Sequence, residues 1–311
     1  TKKVETLYRE FLWRDNILPR MASNDKSDII HFPNQISTLK SKIPTVVSVH
    51  DIYILKNPDA FPFIQVKRAQ YMLPRVLRSA TKIMALSHFT KNEILNYINI
   101  DDKKIKVVHP GASKLFKPVK DKERLKQINN KYKLPKKFIL YVGAIEPRKN
   151  VDKLIGAFDI VRRSIDISLV IVSFGGWKNK NVYSTVKSSP NFKHIHLVGY
   201  VSDEDLPVIY SLANMFVYPS TYEGFGLPLL EAMSCGCPVI GTQNTVADEV
   251  LGDSGILTES LDIDQLASAI FYLSKENNRL KYKNLGLQRS SKFTWKKCAK
   301  ETLELYQTIV H

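Results

Sequence analysis

Residues 218–233 read Tyr218-Pro219-Ser220-Thr221-Tyr222-Glu223-Gly224-Phe225-Gly226-Leu227-Pro228-Leu229-Leu230-Glu231-Ala232-Met233. An apolar run, Met215–Tyr218, stops here and a glycine-containing loop follows. Pro228 then stands where the first turn of a helix accepts proline. Strand, loop and helix in that order are half of a parallel crossover. Gly224 and Gly226 allow close approach of the backbone to a ligand, and the opening helix points unpaired N–H groups at the same spot. That geometry suits a phosphate or sugar oxygens. Glu223 lies in the loop and Glu231 about one turn into the helix, so two carboxylates can flank one ligand. A glycine turn with a dipole-favoured glutamate and no ligand accounts equally well for an isolated Glu-Gly-Phe-Gly.

The same alternation runs outward in both directions. Short, mostly apolar runs at Asp28–His31, Thr45–His50, Lys82–Ser87, Ile105–His109, Phe138–Ala144, Ser168–Phe174, His194–Gly199, Met215–Tyr218 and Pro238–Gly241 read as strands covered on both faces. Helical patterns lie between them, among them Leu154–Ile165, Asp203–Ser211, Leu261–Ser274 and Trp295–Val310. The expected class is α/β with doubly wound parallel sheets. A charged helix from Asp121 to Lys133, bracketed by Lys117–Pro118 and Leu134–Pro135, marks a seam. It divides the chain into residues 1–137 and 138–295. The first half opens with a helix (Val4 to Met21) and offers four strands, where a doubly wound unit usually opens with a strand and a glycine turn.

The 311 residues are 44% hydrophobic and 24% charged, which excludes disordered and collagen-like classes. The apolar runs are far shorter than the roughly 20 residues of a membrane span, and no secretory signal pattern follows Lys2 and Lys3. Cys235, Cys237 and Cys298 form no disulfide framework, which fits a reducing compartment. A soluble cytoplasmic protein is the expectation. Lys and Arg number 46 against 30 acids, a net charge of +16. Residues 1–137 hold all of that excess (28 basic, 12 acidic), so this half is expected to face something anionic. From Phe63 to Lys82, apolar residues (Phe63, Val66, Met72, Leu73, Val76, Leu77) mix with Lys67, Arg68, Arg75 and Arg78. That is the pattern of a basic helix on an anionic membrane, interrupted at Pro74, and equally of a helix on a sheet with a solvated basic face.

Several features are set aside. Asp203-Glu204-Asp205 and Asp262-Ile263-Asp264 resemble metal-binding acid pairs but stand at helix starts, where acids act as caps. Cys235-Gly236-Cys237 lacks metal-ligand spacing, and no P-loop motif is present.

Glu223-x7-Glu231 in this setting closely resembles the signature of the family 4 retaining glycosyltransferases. Other segments resemble that family in the same order: His50-Asp51-Ile52-Tyr53 after an apolar strand, Ala85-Leu86-Ser87-His88-Phe89-Thr90, and Val108-His109-Pro110-Gly111-Ala112. Tyr141-Val142-Gly143-Ala144-Ile145-Glu146-Pro147-Arg148-Lys149-Asn150 and Gly199-Tyr200-Val201-Ser202 follow. The resemblance implies the GT-B fold, two Rossmann-like domains facing a cleft: residues 1–137 on the acceptor side, with 296–311 crossing back onto them, and 138–295 binding the nucleotide sugar. Relatives begin with a strand and a Gly-rich loop, and nothing before Asp28 resembles these. The first domain is therefore expected to be incomplete, by truncation, by a lost gene start, or because a partner chain supplies the piece.

By the same resemblance, His50 reaches the donor sugar, Arg148 and Lys149 neutralise the diphosphate, and Glu223 meets sugar hydroxyls. The backbone of Gly224, Phe225, Gly226 and Leu227 lies beside it, with Gly143 at the opening turn. Glu231 holds the ribose and the Val201 neighbourhood meets the base. Many relatives carry an arginine five residues before the lysine; Ala144 stands there, and Arg148 is expected to substitute. No metal or other cofactor is expected, because cations and helix N–H groups supply the charge. The Glu-Pro-Arg-Lys-Asn and His-Asp-Ile-Tyr wording resembles bacterial mannosyltransferases of surface polysaccharide assembly. GDP-mannose is thus the favoured donor over UDP-sugars, with a glycan or lipid-linked acceptor and peripheral contact with the inner membrane face. A sugar-nucleotide epimerase, a donor-binding but inactive fragment, and a basic nucleic-acid-binding protein are the rival readings.

Overall fold

A computed structural model describes residues 8–173, 180–259 and 261–310. These group into two compact units, one running to Pro110 and resuming at Lys296, the other spanning Gly111–Trp295. The first part of the expected opening helix (Val4 to Leu7) and Phe174 of the sixth candidate strand lie outside the described residues. From Tyr8 to Ile17 the chain is π-helical and becomes α-helical at Leu18–Asn24.

The first unit carries a four-stranded parallel sheet: β1 (Ile30–Phe32), β2 (Thr45–Val49), β3 (Lys82–Ala85) and β4 (Ile105–Val107), in that spatial order. Side chains alternate across a strand, so Val47, Val49, Ile83 and Ala85 face one way, with Leu73, Val76 and Leu77 of the helix Phe63–Ser79. Val46 and Met84 face the other way, against Val108 and Leu305 of the last helix, Trp295–Val310. His31 joins that packing through hydrogen bonds with Ser48 Oγ (2.8 Å) and the Tyr306 hydroxyl. Both faces are covered, and all five residues of β2 are buried, Thr45 and Ser48 included. Pro74 does not interrupt the helix Phe63–Ser79. The helix buries Val66, Leu73, Val76 and Leu77 and leaves Phe63, Ile64 and Tyr71 exposed. Among the described residues no helix is long and apolar enough to cross a membrane.

The second unit carries six parallel strands: β5 (Phe138–Val142), β6 (Ser168–Val172), β7 (Ile195–Val198), β8 (Met215–Tyr218), β9 (Val239–Thr242) and β10 (Ile256–Thr258). Their spatial order is β10-β9-β8-β5-β6-β7. Counted from β5 this is the 3-2-1-4-5-6 order of a Rossmann sheet, and the order reverses between β5 and β8. A large apolar core packs Ile139, Tyr141, Ile171 and Val217 against Leu154, Phe158 and Ile270 of flanking helices.

The seam lies near Pro110, not near residue 137. The helix Lys122–Tyr132, capped by Asp121, buries Ile128, and its Arg124, Lys131 and Tyr132 all bond the buried Asp205 carboxylate (2.5, 2.6 and 2.9 Å). Those bonds tie residues 111–137 to the second unit and redistribute the charge. The first unit holds 21 basic and 12 acidic residues and the second 25 and 18, so the excess is shared, +9 and +7. They also correct the capping assignment at Asp205, which makes no cap bond to its helix. Asp262 does cap its helix, accepting from the Gln265 N–H. The strand β10 and the helix Glu276–Ser290 escape a periodicity reading. One is a half-exposed three-residue edge, and the other is polar all round, with only Gly286 and Ser290 buried.

Candidate functional site

Ligands in doubly wound sheets bind beyond the carboxyl ends of the strands where the order reverses. Here that point lies past Val142 and Tyr218. Beyond β5 the chain turns at Gly143, whose φ of 150° favours glycine. It passes through a 3₁₀ turn at Pro147–Lys149 and a left-handed Asn150, then enters the helix Val151–Arg162. Beyond β8 the loop 219–225 leads to Gly226 (φ 77°), the N-cap of the helix Leu227–Ser234.

The two loops are pinned together before any charged group is considered. Asn150 Nδ2 donates to the Pro219 carbonyl (2.8 Å), while the Thr221 N–H (2.9 Å) and hydroxyl (3.1 Å) donate to the Arg148 carbonyl. On this frame Arg148 Nη1 donates to Glu223 Oε1 (2.5 Å) and to the Tyr222 carbonyl (2.7 Å), and Arg148 Nε to Glu146 (3.1 Å). Lys149 Nζ donates to the Tyr218 hydroxyl (2.7 Å) and to the same Glu223 Oε1. The Ser220 hydroxyl donates to that oxygen too, at 2.5 Å. One carboxylate oxygen therefore receives three donors, two of them cationic.

Lys149 is only 5% exposed. Burial holds its pKa below the usual lysine value, opposed by the negative charge of Glu223. Its ammonium also lies 4.7 Å from the centroid of the Tyr218 ring. Burial raises the Tyr218 hydroxyl well above the ordinary tyrosine range, with Glu223 adding to the effect, so Tyr218 is a neutral phenol beside the lysine.

Glu231 occupies a different environment. Its Oε2 accepts from the buried Tyr210 hydroxyl at 3.3 Å. Burial pushes its pKa up to about 7, the negative charge of Asp203 adds to this, and the Tyr210 bond opposes it. Phe225 is buried and meets the Phe293 ring edge-on, 5.8 Å between centroids. Leu227 is partly exposed at the helix start, and Val201 is buried just before the helix Leu206–Leu212. His50 belongs to the first unit, exposed directly after β2, with Nε2 2.8 Å from the Pro33 carbonyl. A carbonyl only accepts, so Nε2 carries the proton. Arg148, Lys149 and Glu223 thus converge on one point, Glu231 sits a helical turn away with Tyr210, and His50 stands in the other unit.

Sequence reasoning assigned no role to Tyr218, Ser220 or Asn150. Ser220 alone carried a local signal, a hydroxyl three residues before Glu223. The other two act across about 70 residues of chain.

This geometry is accompanied by family matches over most of the chain. Residues 121–307 match the model described as "Glycosyl transferases group 1", and residues 4–113 match "Glycosyltransferase Family 4". The chain belongs to the family 4 glycosyltransferases. It is 33% identical over 268 residues to O-antigen chain mannosyltransferase B of Escherichia coli, covering 85% of this chain and 70% of that one. It is 28% identical over 267 residues to the serotype-specific mannosyltransferase WbdA of Escherichia coli, covering 84% of this chain and spanning 33% of that longer protein. Among solved structures, sucrose-phosphate synthase from Thermosynechococcus elongatus superposes with a TM-score of 0.80 at 22% identity, covering 94% of this chain and 76% of that one. The fold of this glycosyltransferase is accordingly the GT-B type, with two parallel-sheet α/β units.

Proposed function

We propose that this glycosyltransferase moves a mannosyl group from GDP-mannose to a glycan or lipid-linked acceptor during surface polysaccharide assembly, with retention at the anomeric carbon. The observation that carries the reading is the convergence of Arg148, Lys149 and Glu223 where the second sheet reverses its order. The likeness to O-antigen chain mannosyltransferase B supports mannose as the sugar.

When the bond from the anomeric carbon to phosphate breaks, negative charge grows on the departing diphosphate. Arg148 and Lys149 stabilise that charge most in the transition state, which is where stabilisation accelerates a reaction. The N–H groups opening the helix Leu227–Ser234 add a fixed partial positive charge. With this charge supplied by the chain, the reaction needs no metal. Glu223 accepts from sugar hydroxyls, and Glu231 from the ribose hydroxyls. Gly143 and Gly226 supply the positive φ of the two turns, beside Gly224, Phe225 and Leu227, and Val201 borders the base. The acceptor oxygen attacks the anomeric carbon on the face the phosphate leaves, and its proton passes to the departing phosphate oxygen. The exposed Phe63, Ile64 and Tyr71, with Lys67 and Arg75 over the rings of Phe63 and Tyr71, form the face that meets an anionic membrane carrying the acceptor.

Incubation of the full chain with GDP-mannose and a mannose-terminated, lipid-linked acceptor tests this. The expected result is acceptor extension by mannose with the retained anomer and release of GDP. Release of free nucleotide with no extended acceptor would favour the epimerase chemistry instead. Extension with UDP-sugars alone would overturn the donor assignment.

A further inference from the structure

The Glu223 carboxylate and a diphosphate need the same two cations. Lys149 is almost fully buried, and a buried ammonium requires an anion beside it. Two groups can supply one. Glu223 does so directly, its Oε1 facing Lys149 Nζ, Arg148 Nη1 and the Ser220 hydroxyl together. A bound diphosphate would do so as well, and it cannot take the full charge of both cations while Glu223 holds them. The Glu223 side chain is 14% exposed against 7% for Lys149, so the carboxylate is the more accessible member of the pair.

We infer that Glu223 is a specificity-determining residue that competes with the diphosphate for Arg148 and Lys149, and so makes the site prefer a sugar-bearing nucleotide over the bare nucleoside diphosphate. This rests on the donor-site reading above and deepens it. With the sugar attached, Glu223 gives up two cationic donors but gains sugar hydroxyls, and its hydrogen-bonding capacity is preserved. With the sugar transferred, the hydroxyls are gone, and Glu223 returns to the cations and helps displace the product. Charge-assisted bonds are the stronger kind, so the return is favourable only when no sugar compensates for the exchange.

The test measures binding of GDP and GDP-mannose by titration calorimetry to the wild-type chain and to Glu223→Gln, Ser220→Ala and Lys149→Ala, with UDP and UDP-glucose in parallel. The competition is read on whichever nucleotide pair the wild type binds. Gln has the shape of Glu without its charge. Glu223→Gln is expected to bind the bare diphosphate at least five-fold more tightly than wild type and the sugar nucleotide no more tightly, so that the preference for sugar shrinks or inverts. Ser220→Ala, which removes one donor holding Oε1, is expected to move bare-diphosphate affinity in the same direction by a smaller factor. It serves as the readout should Glu223→Gln not fold. Lys149→Ala reports on the underlying reading, since unchanged nucleotide affinity there would remove the diphosphate from this site altogether. If Lys149→Ala loses nucleotide binding while Glu223→Gln and Ser220→Ala bind the bare diphosphate no better than wild type, the competition is overturned and the donor site stands.

Discussion

Replacing Glu231 by Gln separates the charge of this residue from its shape, and burial makes the effect large. The carboxyl has an ordinary pKa of 4.5 and is raised to about 7, first by desolvation and then by Asp203. The folded chain thus binds a proton more readily than the unfolded one between these two values. Stability falls as pH rises through this window and stays lowered above it. At about 1.4 kcal/mol per pH unit, the ionised, buried carboxylate costs up to about 3 kcal/mol at pH 8. Below pH 4.5 it is protonated in both states and costs nothing of this kind. Gln carries no such titration, so Glu231→Gln should match wild type near pH 4.5 and exceed its stability by up to about 3 kcal/mol at pH 8. In a unit of this size each kcal/mol moves the melting temperature by about 2–4 °C. The assay is a set of thermal melts of both proteins from pH 4.5 to 8.5. The proposed ribose contact makes a second demand on the same residue. Hydroxyls donate to a carboxylate and favour its ionised form, so GDP affinity in the wild type should rise from pH 6 to pH 8 more steeply than in Glu231→Gln, where it should be lower and keep only the dependence of the terminal phosphate. A melting difference between the two proteins that does not change with pH would refute the buried, raised carboxyl. A pH dependence of GDP affinity that is the same in both proteins would refute the ribose contact.

Asp205→Asn should destabilise the second unit by about 1–2 kcal/mol, because it replaces charge-assisted bonds by neutral ones while the partly exposed Arg124 and the exposed Lys131 stay hydrated; denaturant melts of wild type and variant check this. Hydrogen bonds from Lys131 and Tyr132 outweigh burial and hold the Asp205 pKa below the ordinary value. Its stabilisation is present above that value and is lost as pH falls toward the folded pKa, so the gap between the two proteins should close in acid. Gly226→Ala forces a side chain into the left-handed region at φ 77°, with its Cβ 3.0 Å from Leu229 Cδ1. A loss of about 1–2 kcal/mol in a denaturant titration is expected, together with weaker nucleotide binding from the displaced helix start. The paired change Phe63→Ser, Ile64→Ser removes two side chains that are 73% and 80% exposed. Cosedimentation with vesicles containing anionic lipid should fall at least tenfold, since each apolar side chain is worth about 1.5–3 kcal/mol on burial, while the thermal melt stays as in wild type.

Much of the fold was legible because its strands are covered on both faces, and unbroken apolar runs such as Phe138–Val142 leave few alternatives to a parallel sheet. The helix Trp295–Val310 was readable to its ends from its periodic apolar stripe. The unit boundary was misread for a physical reason. Lys122–Tyr132 is a polar helix whose attachment is a cluster of bonds to Asp205, more than 70 residues away, and composition places such a helix with either neighbour. The charge asymmetry followed the same error.

Sequence by itself determined the alternation of strand and helix, the glycine corner at Gly224–Gly226 and the identity of the charged residues, because each is a property of neighbouring residues. Tertiary structure alone decided the strand order, and with it that Arg148 and Lys149 after β5 meet Glu223 after β8 across about 75 residues of chain. It also decided that Lys149 is buried under Tyr218 and that Ser220 and Asn150 brace the meeting point. Pairing between distant strands is set by packing over the whole sheet, and no local run of residues encodes which strand becomes another's neighbour.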